Sequence, residues 1–465
     1  MSTIAFSRHP ARRDVMVSVA SVALVGAVAW GLAWSMERAS YGTFAGALIG
    51  IALALLSVVI GRALARRESD PVIGRLLVIA PLLKLAMTVV RYGVAFVIYD
   101  GRADSADYHL NGIRLGLLYR EGIFDADLDR AFVGTGFVRM LTGLLYSVIG
   151  PTQLGAFFVF SWLGFLGLYF FYRAFRLAVP EGDHRRYALL VFVLPSLLFW
   201  PSSLGKEAWM AFTLGIVAYG SARLLTSRRH GVPVAAVGLL GASAVRPHVA
   251  AMAGCALIAA YLFRRRPKDA SIIAPIWKLA GILTLGVGLV LMVGQSKEVL
   301  GVDDFNTDAV LTALDKAGSR TDEGGSVFEN EQTSLSPSKF PEALVGVLFR
   351  PFPWEAGNPQ ALIASAEGAF LLGLFILGWR RVVGAIRSVL RTPYIVLCLV
   401  YTVLFVYAFS SFSNFGILTR QRVQVLPFVI VLVCLPPFQA RHQRIRRLLT
   451  ADPVPMHAGE RSLTT

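Results

Sequence analysis

Apolar runs long enough to cross a bilayer recur along this chain, and they leave few folds open. Roughly 20 apolar residues span the hydrocarbon core as a helix, and backbone in lipid must satisfy its own hydrogen bonds, which helices do within one segment. Composition agrees. Of 465 residues 55% are hydrophobic and only 16% are charged, with a mean hydropathy of +0.61. The sequence therefore reads as an all-α, polytopic membrane protein.

The 45 Lys+Arg against 29 Asp+Glu leave a net charge of +16. In a soluble chain this would suggest nucleic-acid binding. No DNA- or RNA-binding motif accompanies it here, so the excess reads as basic cytoplasmic loops, and nucleic acid is excluded as a partner. Cys255, Cys398 and Cys434 all fall inside apolar runs, as small core residues and not as a disulfide framework or metal site. The N-terminal "MSTIAFSRHPARRD" is basic, and the run behind it has spanning length without an A-x-A-like cleavage site. An uncleaved first span is expected.

Apolar length and flanking Arg/Lys place spans at about 14–34, 42–61, 76–99, 153–175, 187–200, 204–225, 232–245, 247–264, 273–295, 359–379, 393–410 and 422–438. This gives about twelve spans with both termini cytoplasmic and every inner loop basic. The stretch "FVGTGFVRMLTGLLYSVIG" (132–150) cannot be a full span without breaking the charge rule. It is expected to be a re-entrant or surface-lying helix on the outer face. Residues 1–450 read as one transmembrane domain with outer loops 100–152 and 297–357, and the polar tail 451–465 as disordered. The expected location is a cell membrane, of the bacterial plasma-membrane kind.

The unusual polar residues fall on the outer side. After the third span comes "YDGRADSADYHLNG". If 100–114 is helical, Asp100, Asp104, Asp107, Asn111 and Arg114 share one face. Like charges so spaced repel, which either raises a carboxylate pKa toward proton-transfer range or recruits a divalent cation such as Mg or Mn. The plainer reading is a solvated amphipathic face.

Outer cations run against the inside rule and ask for a reason. Lys206 follows "WPSSLG", Arg246 precedes Pro247 and His248, and Arg420 and Arg422 stand where the last span starts. A cation at a helix N-terminus is unfavourable unless an anion joins it, when free N–H groups and the side chain both donate. Lys206, Arg246, Arg420, Arg422 and Arg350 of "FRPFPWE" are therefore candidates for a phosphate or pyrophosphate clamp. The alternative is pairing with nearby outer aspartates or snorkelling to headgroups. His248 reads as a base, a ligand, or more often a hydrogen-bonded wall residue. Tyr108, Trp200, Phe352 and Trp354 are interface aromatics that could stack on a sugar.

The polar, Gly/Ser-rich segment 315–340 has the length and composition of a lid. Within the third span Lys84 and Arg91 are expensive and should face the bundle interior. Arg91 is near enough to the outer end to reach toward the aspartates, whereas Lys84 lies deeper.

The pattern "DSADYHLNG", the juxtamembrane stretch 123–150 and the span end "LPSLLFWPSSLGKE" resemble the polyprenyl-phosphate-dependent GT-C glycosyltransferases. The resemblance covers about residues 100–265, and it departs in placing the acidic loop after the third span instead of the first. It implies an inverting transfer from a polyprenyl-linked sugar to a glycan or lipid acceptor at the outer face. Asp104 or Asp107 would then be the base, with the cations on the leaving phosphate and Tyr108, Asn111 and His248 beside the substrate. The late outer loop, "VRPH" and "LTRQR" are also similar to O-antigen and capsular polysaccharide polymerases, which share the clamp and differ in acceptor. A transporter or flippase of an anionic lipid-linked substrate would need midplane charges and often a repeat, and no repeat is visible. A non-catalytic envelope scaffold is the remaining class.

Overall fold

The computed structural model describes residues 41–101, 103–124, 132–264, 286, 337–389, 391–412 and 414–436. The expected span 14–34, all of the expected span 273–295 but residue 286, loop residues 297–336 and the tail 451–465 lie outside the described residues. Regular secondary structure among the described residues is helical. Six helices are long and apolar enough to cross a membrane, or up to eight if each of two bent pairs is one span. The architecture is thus that of a polytopic helical membrane protein, with six to eight candidate spans among these residues, five to seven of them at expected positions.

Helices α1 (Tyr41–Ala65) and α2 (Pro71–Gly93) form the first hairpin. Asp70 starts α2 by accepting the Val72 N–H at 2.8 Å, and Pro71 occupies the first helical position, where no N–H is needed. A π-helical turn, Val94–Ile98, prolongs α2 at its far end, and the span begins at Pro71, earlier than the expected 76.

Next come α3 (Asp104–Arg120) and α4 (Phe137–Ile149), packed on each other. The segment Phe132–Ile149 is long and apolar enough to cross a membrane, against the expectation of a re-entrant or surface helix. Its first turn is broken, however, at Val133 and at Gly134 with φ 85°, leaving 13 residues of continuous helix. The Gly134 N–H donates to Ala244 O at 2.9 Å and pins that broken turn to the following helical layer.

Helices α5 (Gln153–Ala178) and α8 (Lys206–Leu225) lie side by side at backbone contact. A Cβ added to Gly167 would stand 2.1 Å from Ala211 O, and one on Gly215 would stand 2.3 Å from Gly167 O. Only glycine permits this approach. The expected span 187–200 is instead two pieces, α6 (His184–Val193) and α7 (Pro195–Phe199). Pro195 forces Leu194 out of helical geometry, to ψ 128°. The fully buried Lys84 of α2 donates to Leu197 O at 2.8 Å and Leu198 O at 2.9 Å, carbonyls that so short a helix leaves unpaired.

Helices α9 (Gly231–Ser243) and α10 (Pro247–Leu262) occupy two more expected spans, with 13 and 16 residues. The rest comprises α11 (Phe340–Phe349), α12 (Pro359–Leu377), α13 (Trp379–Ser388), α14 (Pro393–Phe409), α15 (Phe415–Arg422) and α16 (Leu426–Ile430). The chain bends by 112° between α13 and α14 and by 58° after α15. The final apolar segment therefore starts at Phe415, before the expected 422, and is broken.

Two ends of the bundle are distinct. At one end Asp183 meets Cys434 O, donating its N–H at 2.7 Å, and its carboxylate lies 3.7 Å from Arg381. The opposite end gathers the starts of α3, α8 and α10, the 350–360 corner and α15.

Candidate functional site

Past the π turn of α2 the chain reverses at Asp100 (φ 48°) and Gly101 (φ 73°) before α3 begins at Asp104. Asp100 is thus off the helix, which corrects the expected five-residue stripe. Asp104 and Asp107 both occupy the first turn of α3, where carboxylates suit the positive end of the helix dipole.

The two aspartates diverge. Arg139 of α4 clamps Asp107 with two hydrogen bonds, Nη2 to Oδ1 at 2.8 Å and Nε to Oδ2 at 2.9 Å. Asn111 Nδ2 adds a third at 3.0 Å. Asp107 and Asn111 therefore tie α3 to α4. Asp104 turns the other way and accepts from Arg420 Nη2 at 2.7 Å through Oδ2. Its Oδ1 has no bond among the described residues.

Behind Asp104 lies a buried network. Glu207, the second residue of α8, accepts from Arg420 Nε at 2.7 Å and from Arg246 Nη2 at 2.9 Å, both at Oε1. Arg246 stands at the N-cap of α10 and Lys206 is the first residue of α8, so both are at helix starts as the sequence suggests. Lys206 senses the charges of Arg246, Asp104, Glu207 and Arg420. Arg91 approaches from α2, its guanidinium 4.8 Å from the Phe199 ring centroid and 5.0 Å from that of Trp200. The four cations Arg91, Lys206, Arg246 and Arg420 against the two carboxylates Asp104 and Glu207 leave an excess of two positive charges.

Arg91, Asp104, Glu207 and Arg420 line a cavity of about 470 Å³, together with the apolar surfaces of Ala95, Phe157, Trp200 and Ile417. Charged groups thus share one space with a greasy wall. Tyr108 is buried at its edge. Burial, then the charges of Asp104 and Glu207, push its phenol upward, so it stays a neutral hydroxyl.

Other sequence candidates are placed elsewhere. Arg350 gives Nε to Glu355 Oε1 at 2.9 Å and lies over the Phe415 ring at 5.3 Å. Arg422 is buried and donates Nε to Val347 O at 3.1 Å and Nη2 to Arg350 O. These two arginines brace the corner between α11 and α12, and neither lines the cavity. Arg420 belongs to the cavity but sits in the last turn of α15, not at a helix start. His248 lies in the first turn of α10 with its ring 6.4 Å from that of Phe409 and its Nδ1 without a partner among the described residues. It does not line the cavity.

Two residues central to this geometry were not among the sequence candidates, Glu207 and Arg139, whereas Arg91, expected to face the interior and reach toward the aspartates, shares the cavity with Asp104. Glu207 had a local signal, an acidic residue in a helix first turn, overshadowed by the neighbouring Lys206. Among the described residues, no group of three His, Cys, Asp or Glu side chains is placed to hold a metal ion.

No protein-family model matches the chain, and no curated protein or solved structure matches it either. What the fold and the site define together is a polytopic helical membrane protein with a cavity at one end of its bundle, lined by two arginines, two carboxylates and an apolar wall.

Proposed function

We propose that this chain is an inverting membrane glycosyltransferase of cell-envelope polysaccharide or glycolipid assembly, taking its sugar from a polyprenyl-phosphate donor at the outer face of a plasma membrane. One observation carries the reading. Asp104, whose Oδ1 has no hydrogen bond among the described residues, lines a cavity that sets Arg91 and Arg420 beside an apolar wall, with Lys206 and Arg246 close behind. A polyprenyl-linked sugar has the matching parts: a hydrophobic chain, an anionic phosphate and a polar ring.

The chemistry follows from those groups. The acceptor hydroxyl attacks the anomeric carbon while its proton passes to Asp104 Oδ1. The bond from anomeric carbon to phosphate oxygen breaks, and the phosphate leaves with the electron pair. Arg420 and Arg91, with Lys206 and Arg246 behind, stabilise that charge in a site of low dielectric. Asp104 is favoured over Asp107 as base because Arg139 and Asn111 occupy both oxygens of Asp107. An O-antigen or capsular-type polymerase would use the same groups with a growing glycan as acceptor. A transporter or flippase is less well supported: Lys84, the deepest charge, is already bound to two carbonyls.

The test is incorporation of radiolabelled sugar from a panel of polyprenyl-phosphate and polyprenyl-pyrophosphate donors by the purified protein in lipid nanodiscs. Transfer by the wild type and its loss in Asp104→Asn is the expected result. Transfer that persists in Asp104→Asn removes the base assignment, and hydrolysis-free movement of the donor between leaflets without transfer replaces the enzyme by a flippase.

A further inference from the structure

Arg420 has two carboxylate partners of very different character. Its Nε is held by Glu207, which is buried and also braced by Arg246. Its Nη2 reaches Asp104, whose side chain is 56% exposed. The first bond is fixed by the fold. The second joins Arg420 to a carboxylate that can move on the surface of α3.

Arg91 faces the same cavity from the opposite element. Among the described residues no carboxylate pairs with it, and its buried Nε has no hydrogen-bond partner. Its place is set by the Phe199 and Trp200 rings, which hold the guanidinium through its faces and leave its edge for hydrogen bonding. A buried donor without an acceptor is costly unless a ligand supplies one.

We propose that Arg91 and Arg420 form a phosphate seat, and that Asp104 occupies the Arg420 half of it as an internal competitor until a phosphate displaces it. The unpartnered Arg91 edge, with Arg420 lining the same 470 Å³ cavity, supplies the seat. The exposed Asp104 carboxylate stands where one ligand oxygen would bind. Arrival of the anion transfers Arg420 Nη2 from Asp104 to phosphate, with Glu207 keeping the guanidinium in place through Nε. The released Asp104 then has both oxygens free, so donor binding readies the base. This deepens the glycosyltransferase reading and rests on it for naming phosphate as the anion.

The experiment measures binding, not transfer, so the two ideas fail separately. Undecaprenyl phosphate incorporated in nanodiscs, and inorganic pyrophosphate added to empty nanodiscs, are titrated against wild type, Asp104→Asn and Arg91→Ala. Removing a half-exposed competing charge should tighten binding by about threefold to fivefold in Asp104→Asn. Losing a charge-assisted donor pair should weaken it by roughly tenfold or more in Arg91→Ala. Tighter binding cannot come from a misfolded variant, so the Asp104→Asn arm stands even if Arg91→Ala fails to fold. Tightening for undecaprenyl phosphate alone assigns the seat to a lipid headgroup; tightening for both assigns it to phosphate as such. Unchanged or weakened binding of both probes by Asp104→Asn overturns the competition, whether or not the protein transfers sugar.

Discussion

Arg246 Nη2 lies 2.9 Å from Glu207 Oε1, and the two residues expose only 8% and 4% of their surface. Thirty-nine positions separate them in sequence. The contact fixes the first turn of α10 against the first turn of α8, and Arg420 fastens α15 to the same oxygen. One buried carboxylate therefore holds three elements at the cavity.

That geometry predicts an asymmetry. Glu207→Ala leaves Arg246 without a carboxylate and Arg420 with Asp104 alone, and breaking a buried pair costs about 3–5 kcal/mol. Arg246→Met leaves Glu207 still bound to Arg420, and should cost less. Denaturant unfolding of the detergent-solubilised variants measures both. Equal losses would mean that Arg420 does not compensate.

Asp104 and Asp107 should separate in the same way for activity. A general base contributes roughly 100-fold to 10,000-fold, so Asp104→Asn should lose at least about 100-fold in transfer rate. Asp107→Asn weakens the Arg139 clamp, an interaction of half-exposed side chains, and should cost no more than about 1 kcal/mol of stability. Its transfer rate should stay within about tenfold of wild type. The reverse ranking would move the base to Asp107.

How far the sequence carried depends on the range of each interaction. Apolar length located α1, α2, α5, α8 and α12, because burial in lipid needs nothing beyond the segment itself. The break at Leu194 was signalled by Pro195, yet run length alone reads through it. Asp104 and Arg420 were both picked out, but no local spacing could pair residues 316 positions apart. Arg422 shows the opposite error. Two arginines two residues apart look alike in sequence, but on a helix they point in different directions, and only Arg420 meets the cavity.

The 350–355 corner should respond to acid. Partial burial alone would raise the Glu355 pKa, but hydrogen bonds from Arg350 and from the Phe352 N–H, with the Arg350 charge, hold it below its ordinary value. A carboxylate lowered on folding adds stability above its unfolded pKa of about 4.3, and that share is lost as pH falls through the folded value. Wild type should therefore show a steeper loss of stability below about pH 4 than Glu355→Gln. Parallel curves would show that the pair contributes nothing.

The backbone contact of α5 with α8 is tested by one methyl group. A Cβ on Gly167 would meet Ala211 O at 2.1 Å, well inside any allowed distance, so the helices must separate. Overpacking of this kind costs about 1–3 kcal/mol. Gly373 of α12 has nothing near its Cβ position, so Gly373→Ala should be neutral or slightly stabilising. Thermal unfolding of the two variants under identical detergent conditions reads the difference. A stable Gly167→Ala protein would show that the two helices pack less closely than this.

Lys84 offers the sharpest division between a structural and a transporting charge. Its ammonium is fully buried and donates to the carbonyls of Leu197 and Leu198, at the end of the short α7. The i+4 partner of Leu197 O is Pro201, which has no N–H, and the Ser202 N–H turns to Phe199 O, so the lysine stands in for missing N–H donors. Lys84→Met keeps most of the volume and removes the donors. It should destabilise the protein by about 1–3 kcal/mol, the cost of leaving the buried Leu197 carbonyl unsatisfied while Leu198 O keeps the Ser202 hydroxyl. Folded Lys84→Met should nevertheless transfer sugar at close to the wild-type rate, because Lys84 is not among the groups lining the cavity. If the variant is fully folded and inactive, the charge itself is needed in the functional cycle, and a transport role for the bundle regains its footing.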